Sequence, residues 1–242
     1  MMIPTLGVIA GSAFLEGVDL PDAKRETIAT AAGDVVLYHA ADFVFIRRHG
    51  EKEYRPPHRI PHHAHVLALE ELGVRTVAGL ASTGALRDTI HPGDVVIPDD
   101  YISWSPPPTF ASDEYMHIVP ALDPGVRALL RSAADAAGGA ATRIIDSGVY
   151  VQTHGPRFET PAEVRMLARD ADVVGMTAAS EATLCQERGL AYGVLCIVDN
   201  YANGMGAEPL TLEAFRAQLA RNAEMARSLV AQLLRLWREA TR

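Results

Sequence analysis

Three places in the second half of the chain combine polar and aromatic side chains with the ends of apolar runs. These residues are Phe158 and Glu159, Met176 and Thr177, and Asp199 and Asn200. An aromatic ring, carboxylates, a thioether, a hydroxyl and an amide that converge from three segments suit a flat heterocycle joined to a sugar. Each residue taken singly is more often structural, so the combination is what indicates a small-molecule site.

The segment 147–203 carries all of these residues. Its periodicity predicts a strand, a Gly-Pro loop, a helix, a short strand, a second helix and a final strand. Such alternation is typical of an α/β fold, in which ligands bind where the strands end. No Ser/Gly-rich linker or run of charge interrupts the pattern, so we expect one domain over residues 1–242.

The first half of the chain offers groups that suit an anion. The apolar run 6–10 is expected to be a strand that ends at Gly11 and Ser12, where backbone amides and a hydroxyl suit a phosphate oxygen or form a plain turn. The runs 34–38 and 43–47 predict a hairpin that delivers Arg48 and His49. Arginine suits an oxyanion because its planar fork donates two parallel hydrogen bonds, although a solvated strand edge fits the same residues.

Residues 75–86 predict a central strand followed by a loop of small residues. Small residues let the backbone approach a ligand closely, so Ser82 and the amides of Thr83 and Gly84 are candidates for contact with phosphate or sugar.

Three further helices are predicted. An amphipathic helix should end at Gly73. Histidines 62, 63 and 65 at its start suggest a metal site, but we expect none because no acidic or cysteine partner is nearby. A helix is expected over 123–137 with an Asp cap, and a long amphipathic helix over 211–239. The apolar stripe of the long helix is interpreted as core packing and comprises Phe215, Leu219, Met225, Leu229, Leu233 and Leu236.

Composition excludes several classes of protein. The formal charge of −8 and the pI near 5.6 argue against a nucleic-acid surface, which needs a clustered positive field. Cys185 and Cys196 lie in apolar patterns and are interpreted as buried thiols in a reducing compartment. No signal peptide or apolar run of about 18 residues is present, so we expect a soluble cytoplasmic protein with no membrane partner.

The ordered motifs of the chain resemble the purine nucleoside phosphorylase superfamily, in its trimeric branch that includes methylthioadenosine and methylthioinosine phosphorylases. The resemblance rests on GPRFETPAE, GMT and SEATLCQERGL in the second half. It continues in GVIAGSAFLEG, in RRHG at 47–50 and in ASTGALRDTIHPGDVVIPDDYI. It implies a central mixed, twisted sheet that is partly barrel-like and flanked by helices.

The resemblance also implies an activity and a set of roles. The activity is phosphorolysis of a purine nucleoside to a free base and a pentose 1-phosphate, with phosphate as co-substrate, no other cofactor and no metal. Arg47 is expected to be surface charge, Met176 to lie against the ribose and Phe158 to border the base. His117 matches a histidine that reaches the sugar of a neighbouring subunit, which implies a homotrimer. The phosphate ligands would be Ser12, Arg48, His49, Ser82 and Thr177.

Glu159 and Asn200 are expected to select the base. A 6-oxopurine carries hydrogen on N1, which an ionised Glu159 accepts, whereas adenine N1 is a lone pair; such a mismatch costs roughly 1–3 kcal/mol. Asn200 would bind O6 and N7 of the departing base. The chain resembles the 6-oxopurine branches at both positions, and the segment YANGMG resembles methylthioinosine phosphorylases.

Two departures from the family pattern keep alternatives open. Residues 61–65 read Pro-His-His-Ala-His instead of the usual Asn-Tyr-basic-Ala-Asn, and Asp199 stands where threonine is common. Protonated, Asp199 would be a general acid towards N7; ionised and turned away, it would be structural. The alternatives are a methylthioadenosine phosphorylase, a nucleoside hydrolase and a non-catalytic nucleoside-binding protein.

Overall fold

The strands of the computed structural model follow the apolar runs of the sequence. The structure describes residues 5–14, 18–51, 53–112, 116–139, 142–206 and 210–241. The strands are β1 (Leu6–Ala10), β2 (Lys24–Thr30), β3 (Gly33–His39), β4 (Phe43–Arg47), β5 (Thr76–Ala85), β6 (Val95–Val96), β7 (Asp100–Ser103), β8 (Ile144–Ile145), β9 (Val149–Gln152), β10 (Val173–Gly175) and β11 (Ala191–Tyr201). The helices are α1 (His62–Glu71), α2 (Pro124–Ala137), α3 (Pro161–Leu167), α4 (Ala178–Glu187) and α5 (Leu212–Ala240).

All of these strands belong to one mixed sheet, which confirms the expected α/β fold. β5 is its centre, because β5 runs parallel to β1 on one side and to β11 on the other, while its last residues pair antiparallel with β10. The expected loop of small residues after this strand is wrong. β5 continues through Ser82 to Ala85, since β11 is long enough to pair with it to its end.

The order of elements predicted for 147–203 is confirmed as β9, α3, β10, α4 and β11. The hairpin is confirmed as the antiparallel pair β3–β4, which β2 extends. The Asp123 cap of α2 is also confirmed, because its Oδ1 accepts from the backbone N–H of Val126 at 2.9 Å.

The sheet separates two apolar layers. Successive side chains of a strand point to opposite faces, and in β11 Val194, Cys196 and Val198 join one buried cluster while Leu195 and Ile197 join another. The first cluster packs against α1 and α4, and the second against α2 and α5. Cys185 and Cys196 are buried free thiols, as predicted.

Helix α1 differs from its prediction. Instead of one apolar stripe, it buries residues around most of its circumference, because it is enclosed by β2, β3 and α4. The buried residues are His62, Ala64, His65, Val66, Ala68 and Leu69. Within the described residues, no helix is both long and apolar enough to cross a membrane.

Candidate functional site

One cavity of about 270 Å³ collects the predicted site residues, with the exception of Asp199 and His117. It lies where the carboxyl ends of β1, β4, β5, β10 and β11 meet. The predicted residues that line it are Ser12, Arg48, His49, Ser82, Phe158, Glu159, Met176, Thr177 and Asn200.

Strand register explains why residues distant in sequence meet here. β1 lies between β4 and β5, and Ala10 is the register partner of both Arg47 and Leu80. The chain therefore leaves β1 and β4 at the same level of the sheet, beside the middle of β5. Gly11 is required at this exit, because a Cβ there would lie 2.5 Å from Nη1 of Arg48.

Arg48 is fully buried and paired with Glu181 of α4. Its Nε donates to Glu181 Oε1, and its Nη2 donates to Oε2 at 2.9 Å. Burial lowers the pKa of Arg48, but the charge and hydrogen bonds of Glu181 outweigh burial and leave that pKa raised. Tyr192 also donates its hydroxyl to Glu181 Oε2 at 2.8 Å. The guanidinium is therefore charged and held in one orientation.

This pairing sets what Arg48 can offer a ligand. Nη1 donates one hydrogen to Leu80 O at 2.8 Å, and the second hydrogen of Nη2 goes to Ile9 O at 3.1 Å. A guanidinium has five N–H groups, so one N–H on Nη1 remains for the cavity. The planar fork is directed at Glu181, and its positive charge is already balanced by that carboxylate.

His49 is held neutral beside Arg48. Its Nδ1 lies 2.8 Å from Arg55 O, and because a carbonyl only accepts, Nδ1 carries the hydrogen and Nε2 keeps its lone pair. Burial lowers the pKa of His49 to about 4, assisted by the charge of Arg48. The imidazole stacks on Tyr54 with ring centroids 5.2 Å apart.

Two more histidines lie close to the Arg48–Glu181 pair. His62 and His65, at the start of α1, are buried, and burial lowers the pKa of each to about 3. Nδ1 of His62 is 3.9 Å from Glu181 Oε1. In the part of the chain that is described, no three His, Cys, Asp or Glu side chains are grouped so that they could hold a metal ion.

Glu159 lies just before α3, where its carboxylate is oriented by a neighbour. Thr153 Oγ1 donates to Glu159 Oε1 at 2.6 Å, and Asn203 Nδ2 donates to the backbone oxygen of Glu159 at 2.9 Å. Glu159 is buried, and among the described residues its Oε2 receives no hydrogen bond. Thr160 caps α3 through a capping box with Glu163, which fixes the end of this loop.

Asp199 and Asn200 are separated by an irregularity in β11. The register with β5 shifts between Val198 and Asn200, so Asp199 is an extra residue of the kind found in a β-bulge. Asn200 lines the cavity, whereas Asp199 lies behind the strand and accepts from Asn222 of α5 at 2.7 Å. His117 is exposed and lies outside the cavity.

Asp199→Asn is expected to stabilise the protein at neutral pH. Burial raises the pKa of Asp199 to about 6, opposed by hydrogen bonds from Asn222 and Ser82. The folded protein therefore holds this proton more tightly than the unfolded chain, and stability falls as pH rises from about 4 to about 6. A shift of two pKa units corresponds to roughly 3 kcal/mol. The free energy of unfolding of the variant should therefore exceed that of the parent by up to roughly 3 kcal/mol at pH 8 and by little at pH 4.

Urea unfolding of the parent and of Asp199→Asn at both pH values measures this difference. The matched control is Asp135→Asn, because Asp135 is exposed on α2 in an i,i+4 pair with Arg131. A parent and variant whose stabilities change in parallel with pH would contradict the expectation.

Several residues that form or support the cavity are not predicted from the sequence. Phe215, expected to be a core residue, lines the cavity and meets Phe158 edge-to-face with centroids 5.9 Å apart. The sequence signal for Glu181 is a carboxylate among the small and apolar residues 178–185 of α4. Other missed wall residues are Tyr54, Pro56, Pro57, Leu210 and Leu212.

Comparison with known proteins gives one consistent family. Residues 5–235 match the model of the phosphorylase superfamily. A probable 6-oxopurine nucleoside phosphorylase of Archaeoglobus fulgidus is 38% identical over 239 residues, which cover 97% of this chain and 98% of that protein. A probable S-methyl-5′-thioinosine phosphorylase of Methanothermobacter thermautotrophicus is 36% identical over 217 residues, which cover 86% of this chain and 75% of that protein.

A solved structure agrees with these sequence relatives. The crystal structure of a methylthioadenosine phosphorylase from an antarctic soil metagenomic library superposes with a TM-score of 0.86 at 28% identity, and the match covers 99% of this chain and 88% of that one. Because the family model spans nearly the whole chain, and the sheet and cavity are built from the same residues, this protein belongs to the phosphorylase superfamily.

Proposed function

We propose that this protein is a purine nucleoside phosphorylase that acts on 6-oxopurine nucleosides such as inosine, guanosine or 5′-methylthioinosine. It transfers the pentosyl group to inorganic phosphate and releases the free base. The observation that carries the proposal is that one cavity holds oxyanion donors from β1, β4 and β5 together with Glu159 and Asn200. The names of the relatives from A. fulgidus and M. thermautotrophicus support it.

The phosphate end of the cavity is formed by hydroxyls, the remaining N–H of Arg48 and the imidazole of His49. Cleavage of an N-glycosidic bond builds positive charge on the sugar, and a phosphate held below C1′ is both its counter-charge and its oriented nucleophile. Since Arg48 is balanced by Glu181 and His49 is neutral, these groups together carry little net charge. They therefore leave the negative charge of a bound phosphate largely unneutralised, so that it can stabilise the cationic sugar. The residues assigned to it are Ser12, Arg48, His49, Ser82 and Thr177.

The base end is formed by Glu159 and Asn200. Because Thr153 occupies Oε1 of Glu159, Oε2 is left to accept N1–H of a 6-oxopurine. The Asn200 amide is assigned to O6 and N7, where negative charge accumulates as the base departs. Glu159 and Asn200 thus act on the leaving base, while the phosphate ligands act on the sugar through the bound phosphate.

The sugar lies between these ends in the proposed complex, with Met176 against the ribose and Phe158 beside the base. Leu210, Leu212 and Phe215 give the cavity an apolar wall. This wall suits a 5′-methylthio group better than a 5′-hydroxyl, because a buried hydroxyl without a partner costs free energy. A methylthioadenosine phosphorylase is the second candidate, since this wall and the antarctic structure fit it as well.

We further propose that phosphate is the co-substrate, with no other cofactor, and that the protein is cytoplasmic. We propose that it forms a homotrimer in which His117 contributes to a neighbouring site. The exposure of His117 outside its own cavity supports that placement.

A substrate panel with and without phosphate tests the proposed function. Inosine, 5′-methylthioinosine and 5′-methylthioadenosine are compared, and we expect the two 6-oxopurine compounds to be favoured by about tenfold or more in kcat/KM. The sugar product should be a 1-phosphate. Turnover in phosphate-free buffer would identify a hydrolase. No turnover of any nucleoside would identify a binding protein, and preference for the adenine compound would identify the second candidate.

A further inference from the structure

Asp199 is a buried carboxylate that the proposed reaction leaves without a task. It is 2% exposed, and it lies behind β11 and does not line the cavity. Asn222 donates to its Oδ1 at 2.7 Å, while Oδ2 has no conventional hydrogen-bond partner within the described ranges. Because a buried carboxylate oxygen without a hydrogen bond is costly, the presence of Asp199 at a bulge beside the site calls for a reason.

Ser82 connects this carboxylate to the cavity. Ser82 stands in β5 opposite Ile197 of β11, two residues before Asp199, and it lines the cavity. Its side chain points to the same face of β5 and β11 as Asp199, and its hydrogen-bonding interaction with that carboxylate lowers the pKa of Asp199. Ser82 is therefore in contact with Asp199 and with the space that a ligand occupies.

The chemistry of the two groups fixes the direction of this hydrogen bond. An ionised carboxylate can only accept, whereas a serine hydroxyl has one proton to donate and two lone pairs that accept. When Asp199 is ionised, the proton of Ser82 is committed to it. What Ser82 then offers a ligand is an acceptor.

We propose that Asp199 is a positioning residue that acts through Ser82: its carboxylate accepts the hydrogen bond of the Ser82 hydroxyl, so that the Ser82 oxygen accepts from a hydroxyl group of the ligand. This inference rests on the proposed function and refines it, because Ser82 then no longer donates to a phosphate oxyanion. The ligand hydroxyl belongs either to the pentose or to hydrogen phosphate.

The proposal predicts a dependence on pH. Burial raises the pKa of Asp199 to about 6, against hydrogen bonds from Asn222 and Ser82. Asp94, on the loop that pairs with Val198, accepts from the backbone N–H of His91 and lies 3.9 Å from Arg143. Below pH 6 a protonated Asp199 can donate to Ser82, which occupies one serine lone pair and frees the serine proton, so that Ser82 meets a ligand hydroxyl as a donor. Parent kcat/KM should therefore fall between pH 8 and pH 5.

A double-mutant cycle with Asp199→Asn and Ser82→Ala tests the proposal. The amide introduced by Asp199→Asn can donate to Ser82, and Ser82→Ala removes the hydroxyl itself. We therefore expect each single variant to lose about 10- to 100-fold in kcat/KM. We expect the double variant to lie within about threefold of Ser82→Ala, because both act on one contact. Losses that multiply, or a folded Asp199→Asn variant with parental kinetics, would overturn it.

The pH profile of Ser82→Ala gives a test that does not require Asp199→Asn to fold. The acidic loss of kcat/KM seen in the parent should be absent from Ser82→Ala, and its persistence there would also overturn the proposal. Two arms distinguish the source of the hydroxyl. If Ser82 contacts the pentose, Ser82→Ala should lose less kcat/KM with 2′-deoxyinosine than with inosine. If Ser82 contacts hydrogen phosphate, Ser82→Ala should raise the KM for phosphate. Phosphorolysis by the parent is established in the same assay, so failure of the proposed function is seen separately.

Discussion

Replacing Glu159 with glutamine is expected to lower kcat/KM for inosine by about 100-fold and to raise the relative activity on the adenine nucleoside. The Thr153 hydroxyl should keep the side-chain oxygen that it now binds at 2.6 Å. The introduced NH₂ then occupies the position of Oε2. It would face N1–H of hypoxanthine as a second donor, whereas it can donate to N1 of adenine.

The measurement is the ratio of kcat/KM for 5′-methylthioinosine and 5′-methylthioadenosine in the parent and the variant. Glu163→Gln is the matched control, because it makes the same chemical change four residues along the chain and glutamine also supports the capping box of α3. This control should leave the ratio unchanged. A Glu159→Gln variant that retains the parental ratio would show that Glu159 does not contact N1.

Separating Arg48 from Glu181 is expected to have the largest effect on stability. Glu181→Gln leaves the guanidinium, which is 1% exposed, without its counter-charge, and breaking such a buried pair costs about 3–5 kcal/mol. Exposed pairs contribute far less, so Asp135→Asn should cost less than about 1 kcal/mol. Chemical denaturation of the three proteins at one pH makes the comparison.

A double replacement separates stability from activity at the same site. Arg48→Met combined with Glu181→Leu removes both charges, and well-packed apolar groups in place of a buried ion pair are often neutral for stability. We expect the double variant to recover most of the stability lost in Glu181→Gln and still to lose about 10²–10³-fold in kcat/KM, because it lacks the N–H that we assign to phosphate. A stable double variant with near-parental activity would exclude Arg48 from the phosphate cradle.

The local order of elements was available from the sequence. Apolar runs of strand length, the Gly-Pro loop, the Asp123 cap and the spacing of α3 and α4 are short-range properties, and they predicted β9 to β11 in the right order. The residues at the ends of these runs include most of the predicted cavity residues, because the carboxyl ends of strands in an α/β sheet meet at one place. The family motifs supplied the roles, which remain predictions.

Tertiary packing decided the rest. The fork of Arg48 is directed at Glu181 because α4 packs against β5 and β11, and no local pattern records which carboxylate meets a buried arginine across 133 residues of chain. Asp199 and Asn200 are neighbours in sequence, yet a register shift sends one behind the sheet and the other into the cavity. Phe215 has the helical spacing of a core residue, yet it lines the cavity. Helical periodicity shows which face of α5 is apolar, but it does not show whether that face packs against protein or borders a cavity. The sequence determined which groups are present and which strands end beside them, while long-range contacts determined the direction in which each group donates or accepts.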